Sequence, residues 1–414
     1  MRIRWFTRTS RIIALCAAAN FINSADRVIM PIAIVPMTDV FHWTLHAQGW
    51  ILSAFAFGYF TSQIIGSLFL PCVGVKNMLI SSVLLWSTAT FLTPLLASSL
   101  TALVVCRIVL GFAEGLGLPT IFHLFAHSIP VEGRSRAFGY LIAAGSVGQT
   151  VASVFCPHLQ WESSFYFFGA LGFIWLCLWL TMYPERPLGD VDETMPLHGK
   201  SPPVKSSKLP SRTLIYELLS KRPLWALYVA HFAMNWGSYI VMQWLPTYLS
   251  RTLGADAHCL SLTAVPYIVN SICGVISGHL ADSLLLNKSW SVLNVRRLMT
   301  CIGLVGPALF LAIFCVVDER FLAIVLVSVS MGLSASNSAG HLSNHVDVAP
   351  NHSGTTFAIS NTLATIPGML CGPLTAHMVT TGGGGWVPVF LLSTAINLFG
   401  AMFYFGNSAA TQVI

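Results

Sequence analysis

Charge is what this chain has least of. Only 9% of its 414 residues are Asp, Glu, Lys or Arg, against about 25% in soluble domains. With 55% hydrophobic residues and a mean hydropathy of +0.72, that scarcity excludes an ordinary soluble domain and points to a polytopic helical membrane protein. The apolar runs are long and continuous rather than alternating, which excludes a β-barrel. CxxC pairs are absent from the ten cysteines, so these read as small core hydrophobes and not as a disulfide or metal framework. There is no HExxH pattern, Walker loop or nucleophile elbow, and no soluble segment large enough to house catalysis. His341 and His345 share a helix face but have no supporting acid. The reading therefore assigns no enzyme activity, no cofactor and no metal.

What is present is length. Twelve apolar stretches reach the roughly 20 residues a bilayer requires: 12–36, 47–71, 77–97, 99–127, 135–157, 163–183, 223–249, 260–284, 297–317, 320–345, 353–379 and 386–407. The polar segment Pro184 to Arg222, with Pro187, Pro196, Pro202, Pro203 and Pro210, reads as a flexible linker. The expected organisation is a six-helix bundle over 1–183, a cytosol-side linker over 184–222 and a second six-helix bundle over 223–414. The net charge of +6 raises nucleic acid as a partner, but its distribution argues for topology. Of 21 Lys and Arg, all but Arg27, Arg107, Arg251 and Arg320 fall on the linker side, which places the termini and linker toward the cytosol. Arg2, Arg4, Arg8 and Arg11 near the N-terminus fit a basic flank or the remnant of a trimmed targeting segment; the stretch is short for a transit peptide.

The halves echo each other. Gly111, Pro130, Gly133 and Phe138 recur as Gly332, Pro350, Gly354 and Phe357 at offsets of 221, 220, 221 and 219. Duplicated six-helix units with a site at the midplane between them are the major-facilitator plan.

Two arginines lie inside the apolar runs. A charge at bilayer depth costs at least about 2.5 kcal/mol, and such residues face a bundle interior or a wet cavity. Arg27, preceded by Asp26, reads either as half of an ion pair with Asp26 or Glu114, or as a guanidinium fork for carboxylate or phosphate oxygens. Arg107 and Glu114 stand about two turns and about 10 Å apart on one helix, too far for ideal direct pairing. They read as a structural clamp to other helices, or as cavity charge with Glu114 accepting a coupling proton. His231, Asn235 and Tyr239 form an i, i+4, i+8 stripe on span seven, which also carries Gln243 and Trp244. A polar stripe in a membrane helix faces protein or water, either as a cavity wall or as packing glue. His123, His127, His279, His341, His345 and His377 also lie in or near spans, as ordinary polar or interfacial contacts.

Beside these features stand longer motifs. They comprise Arg107, Gly111, Glu114, Gly115 and Pro119, then Pro130, Gly133, Arg134, Ser135 and Arg136. Asp26 to Val28, Trp225 to His231, Asn235 to Gly237, Trp244 to Tyr248, Asn294 to Arg297 and Ser343 to Pro350 follow the same pattern. Over nearly the whole chain this resembles the anion:cation symporter family of the major facilitator superfamily, the group of sodium–phosphate cotransporters, sialin and vesicular glutamate transporters. The plant plastid anion transporter branch, called phosphate transporter 4, is the most similar.

The resemblance implies an all-α membrane protein of twelve transmembrane helices in two six-helix halves, working by alternating access. Arg27 would hold the anion, with His231, Asn235 and Tyr239 across the cavity. Arg107 and Glu114 would supply coupling or cavity charge. Asp282, Arg134 and Arg136 would form the gating set. Partners would be a small anion, a coupling sodium ion or proton and the lipid bilayer, and not nucleic acid. The implied membrane is the plastid envelope or thylakoid, although another endomembrane or the plasma membrane fits the composition as well. Three positions depart from the family pattern. Met234 fills the place of a second cavity arginine, Leu52 replaces a span-two histidine, and Pro71 stands where a gating Asp precedes Gly74. The first two weaken a glutamate assignment, and Pro71 favours a transport-inactive relative. They leave ascorbate or dicarboxylate transport, or a transport-inactive sensor or scaffold, as alternatives, with a neutral-solute carrier disfavoured by Arg27.

Overall fold

The computed structural model describes residues 8–129, 131–183, 212–287, 290–383 and 385–413; within these, the side chains of 8, 63–72, 126–127, 131–135, 212–215 and 287 are not described. Among the described residues the chain is helical throughout. The N-terminal half comprises α1 (Arg8–Phe41), α2 (Leu45–Val73), α3 (Val75–Leu96), α4 (Leu100–Ser128), α5 (Val131–Phe155) and α6 (Trp161–Met182). A short α7 (Arg212–Ser220) precedes α8 (Arg222–Arg251), α9 (Ala257–Ser261), α10 (Ala264–Asn287) and α11 (Val292–Phe314). Then come α12 (Arg320–Ser334), α13 (His341–Val348), α14 (Ser353–Thr381) and α15 (Val387–Asn407). Nine segments among the described residues are long and apolar enough to cross a membrane. The remaining long helices, α2, α8 and α14, pack against one another or against α1 at the seam between the halves. There, a helix sheltered from lipid tolerates polar side chains.

Two expectations need adjusting. The tenth span is broken. After α12 a 3-10 turn over Ala335–Ser338 leads into α13. Asn337 and the serines around it compete for backbone hydrogen bonds. Asn337 Nδ2 donates to Ser334 O at 3.0 Å beside the break, and to Gly303 O at 2.8 Å on α11, a carbonyl that Pro307 leaves without its helical donor. The linker region also contains structure. Residues 184–211 lie outside the described set, but α7 folds inside the expected flexible stretch. It buries Leu218 among Leu224, Leu227 and Tyr228, and its Leu219 carbonyl accepts from Trp225 Nε1 at 2.7 Å.

In lipid there is little hydrophobic gain in joining helices, so close backbone contact and hydrogen bonds hold the bundle. The α2–α4 contact shows how. A Cβ on Gly58 would fall on the Ile108 carbonyl oxygen, and one on Gly111 would fall on that of Phe55. Only glycine permits this approach, and it sets Phe55 and Tyr59 beside the polar face of α4. The termini of other helices are fixed by side chains: Ser99, Ser291 and Glu319 each accept from a backbone N–H in the first turn that follows.

The two ends of the bundle differ. At the end away from the linker, one apolar cluster runs through both halves, joining Ile34, Met37 and Phe165 to Trp244, Tyr248 and Phe390. At the linker end each half keeps its own cluster. Ile12, Leu79, Phe125 and Trp179 belong to one, and Leu224, Tyr228, Val348 and Tyr404 to the other. Hydrogen bonds agree. Ser261 Oγ donates to Val154 O at 3.1 Å and meets His158 at 2.9 Å, and Thr380 meets His46 at 3.2 Å. At mid-height Gly372 N donates to Ser53 Oγ at 3.1 Å, and a Cβ on Gly372 would strike the Gly49 backbone. The halves are sealed at the far end and separately packed at the linker end.

Gly372→Val is expected to wedge this seal open without unfolding either half. A cysteine placed at the mid-height cavity should then label faster from the far side, while circular dichroism stays unchanged.

Candidate functional site

Near the middle of α1, Arg27 points across the bundle toward α4. Its Nε donates to Glu114 Oε2 at 3.1 Å, in a pair whose side chains are 21% and 0% exposed. Aromatic rings from α2 flank the guanidinium, whose Cζ lies 4.8 Å from the Tyr59 ring centroid and 5.4 Å from that of Phe55. Arg107 shares the Phe55 ring at 5.7 Å and is 3% exposed. Of the two partners weighed for Arg27 from sequence, Glu114 is the one it meets, and Glu114 thereby reaches another helix and not Arg107 on its own. The seven-residue separation keeps the latter two about 10 Å apart along the axis. Asp26 does not pair with Arg27 either. Adjacent helical residues diverge by about 100°, and Asp26 Oδ2 instead accepts from Thr90 Oγ1 on α3 at 3.2 Å.

Above this pair the halves meet around a narrow cavity lined by Arg27, Pro31, Leu52, Phe55, Arg107, Tyr239, Met242 and Gln243. Its free interior is about 10 Å³, room for about one water molecule. Several buried polar atoms here lack a partner: Arg27 Nη2, Arg107 Nε, Glu114 Oε1 and Gln243 Oε1. Buried groups of this kind are normally satisfied, and each unmet one carries a desolvation cost of about 1–3 kcal/mol.

The span-seven stripe divides. Tyr239 lines the cavity with Arg27. Asn235 is half-buried one turn nearer the linker end. His231, about 12 Å along the axis from Tyr239, belongs elsewhere. Its Nδ1 lies 2.8 Å from Ser360 Oγ, and its ring lies 5.7 Å from that of His341, inside the C-terminal half. Gln243, which continues the stripe by one more turn, is the missing member. Its Nε2 donates to Gly368 O at 3.1 Å and Leu52 O at 3.4 Å, tying α8 to α14 and to α2 of the other half. Extending i, i+4 from Tyr239 locates it. Phe55 and Tyr59, aromatic at i, i+4 on α2, carry no polar signal and escape a search for charges. Leu52 does line the cavity, whereas Met234 faces Pro307 and Asn397 in its own half, away from Arg27.

Of the expected gating set, two members can be placed. Asp282 and Arg136 are exposed, and among the described residues neither joins an ion pair. The side chain of Arg134 lies outside the described residues. The ion pair at the linker end of the second half is instead Arg296 Nε to Asp347 Oδ2 at 2.7 Å, with Arg296 Nη1 donating to Ala339 O at 2.8 Å beside the helix break.

Comparison with known proteins follows this geometry closely. The model of the Major Facilitator Superfamily matches residues 16–371. The chain belongs to that superfamily. Within it, sodium-dependent phosphate transport protein 1, chloroplastic, of Arabidopsis thaliana is 35% identical over 413 residues, covering 97% of this chain and 80% of that protein. The ascorbate transporter, chloroplastic, of the same plant is 33% identical, covering 96% and 74%. Sialin of Ovis aries is 34% identical, covering 88% and 76%. These relatives uphold the resemblance to the anion:cation symporter family. The crystal structure of a bacterial homolog of the human lysosomal transporter Spinster, inward-facing and unoccupied, shares the fold at a TM-score of 0.80 and 16% identity, covering 97% of this chain and 96% of that one. The protein is thus a multi-pass membrane transporter of this superfamily, and not an enzyme.

Breaking the Arg27–Glu114 pair from one side strands a buried charge, a loss of about 3–5 kcal/mol. Glu114→Gln and Arg27→Met are each expected to lower the melting temperature sharply in detergent. The double variant should lose much less than the sum, a coupling that a double-mutant cycle measures.

Proposed function

We propose that this transporter carries inorganic phosphate or a small organic anion by alternating access, driven by a sodium or proton gradient. One observation carries the reading. Arg27, a permanent cation with a buried and unpartnered Nη2, stands in the cavity where the two halves meet. A fixed guanidinium offsets the cost of stripping water from an anion at bilayer depth and matches paired oxygens. Glu114 holds the guanidinium through Nε, which leaves Nη2 of the fork unpartnered. Arg107 adds a second positive group, which offsets the charge of Glu114. The relatives named for phosphate and for ascorbate support an anionic substrate, and their chloroplast names support a plastid membrane, the envelope or thylakoid. Glu114, in contact with the substrate-facing arginine, is the group best placed to link proton binding to anion release.

Transport follows from the packing asymmetry. The far-end seal and, among the described residues, the separate linker-end clusters support reading the carrier as open toward the linker side. Rocking the halves about the mid-height contact would reverse the exposure.

The test is uptake into proteoliposomes of purified protein. Phosphate, ascorbate and dicarboxylates are each offered with sodium and pH gradients varied separately. At least one should accumulate, and failure of all three under every gradient would sink the reading. Arg27→Ala is expected to lower uptake at least a hundredfold and Arg27→Lys nearly as much, because an ammonium does not reproduce the fork. Full activity in Arg27→Ala would remove that residue from the site.

A further inference from the structure

The cavity's unmet atoms are of two kinds. Arg27 Nη2 and Arg107 Nε are donors, and Gln243 Oε1 is an acceptor; all three are buried, partnerless and borne by residues lining the same cavity. The orientation of the Gln243 amide follows from its other end. Nε2 lies 3.1 Å from Gly368 O and 3.4 Å from Leu52 O. An amide turned the other way would place oxygen against two carbonyl oxygens. The acceptor thus faces the cavity because the donor is held at the seam.

A cavity with two cationic donors and one fixed acceptor suits a specific chemistry. We propose that Gln243 makes the site selective for oxyanions that also carry a hydroxyl proton, such as hydrogen phosphate, over oxyanions of similar shape that carry none, such as sulfate. The guanidinium groups hold the charged oxygens. The protonated oxygen donates to Gln243 Oε1. A fully deprotonated tetrahedral anion leaves that acceptor unmet and presses an oxygen lone pair against it. Sites built to hydrogen-bond a substrate hydroxyl reject analogues that lack it far more strongly than shape alone allows. No covalent step or proton transfer is involved. Hydrogen phosphate enters and leaves in one protonation state. The interior of about 10 Å³ requires the walls to part before any such anion enters, a movement that alternating access supplies.

This inference rests on the anion-transport reading, and the experiment separates the two. Proteoliposomes loaded with labelled phosphate are assayed for exchange against phosphate, arsenate, sulfate and monofluorophosphate at pH 7.5. Monofluorophosphate is a dianion like hydrogen phosphate, but fluorine replaces the hydroxyl. Arsenate should compete about as well as phosphate, and sulfate and monofluorophosphate at least about a hundredfold less well. Gln243→Leu should narrow that ratio to within about tenfold by weakening phosphate and not sulfate. Because Gln243 also bridges the halves, Gln243→Glu provides a second arm. A carboxylate there should restore a preference for the protonated anion and raise the phosphate requirement as pH rises. Equal competition by sulfate or monofluorophosphate in the unmodified protein overturns the selectivity while leaving anion transport intact. So does an unchanged ratio in a Gln243→Leu protein that still exchanges phosphate. If neither phosphate nor any other anion exchanges at all, both readings fall together.

Discussion

The Arg27–Glu114 contact is the interaction on which the arrangement of the N-terminal half turns. A guanidinium at mid-span has no bulk water to solvate it, so the fold must bring it a counter-charge. That requirement fixes the rotation of α1 against α4. It also demands that α2 pass close enough to wrap the cation in the rings of Phe55 and Tyr59. Gly58 and Gly111 make that approach possible by giving up side chains at the crossing. Charge, aromatic enclosure and glycine contact are therefore one device, each element of which is needed by the next.

A second constraint acts between the halves. Among the described residues they share an apolar cluster at one end and none at the other, and the polar ties described between them lie at the sealed end or at mid-height. A bundle built this way keeps each half rigid, because each has its own core at the linker end. Beside the apolar cluster that joins the halves at the sealed end, the polar ties described between them are local. Ser53 to Gly372, Gln243 to Leu52, and Ser261 to His158 are single hydrogen bonds, each with a net value of about 1 kcal/mol. They can be exchanged one for another without disturbing either bundle.

Much of this was legible in the residues. The twelve spans and their boundaries follow from apolar length, and α1 to α6 end within a few residues of where hydropathy places them. The importance of Arg27, Arg107 and Glu114 follows from the expense of charge in lipid. What periodicity alone could not decide was partnership. The spacing of Arg107 and Glu114 points each toward another helix without naming which, and for Glu114 that helix is α1. The stripe on α8 was visible, yet its two ends serve different neighbours, since a long helix passes first its own half and then the seam. His231 lies in one environment and Tyr239 in the other. The break after α12 was hidden because serine, alanine and glycine are apolar or small enough to pass as a span. α7 was hidden because nine residues of amphipathic helix drown in a proline-rich window.

The amide of Gln243 has one consequence that lies in its torsion. Its χ3 angle alone decides which atom looks at the cavity and which at the backbone. Turning it by half a revolution would offer an NH2 group to a ligand with no proton to give, and would set Oε1 against Gly368 O and Leu52 O. The rotamer that accommodates the wrong anion is the one that unfastens α2 from α8. Misreading a ligand and loosening the tie between the halves are thus the same motion of a single bond.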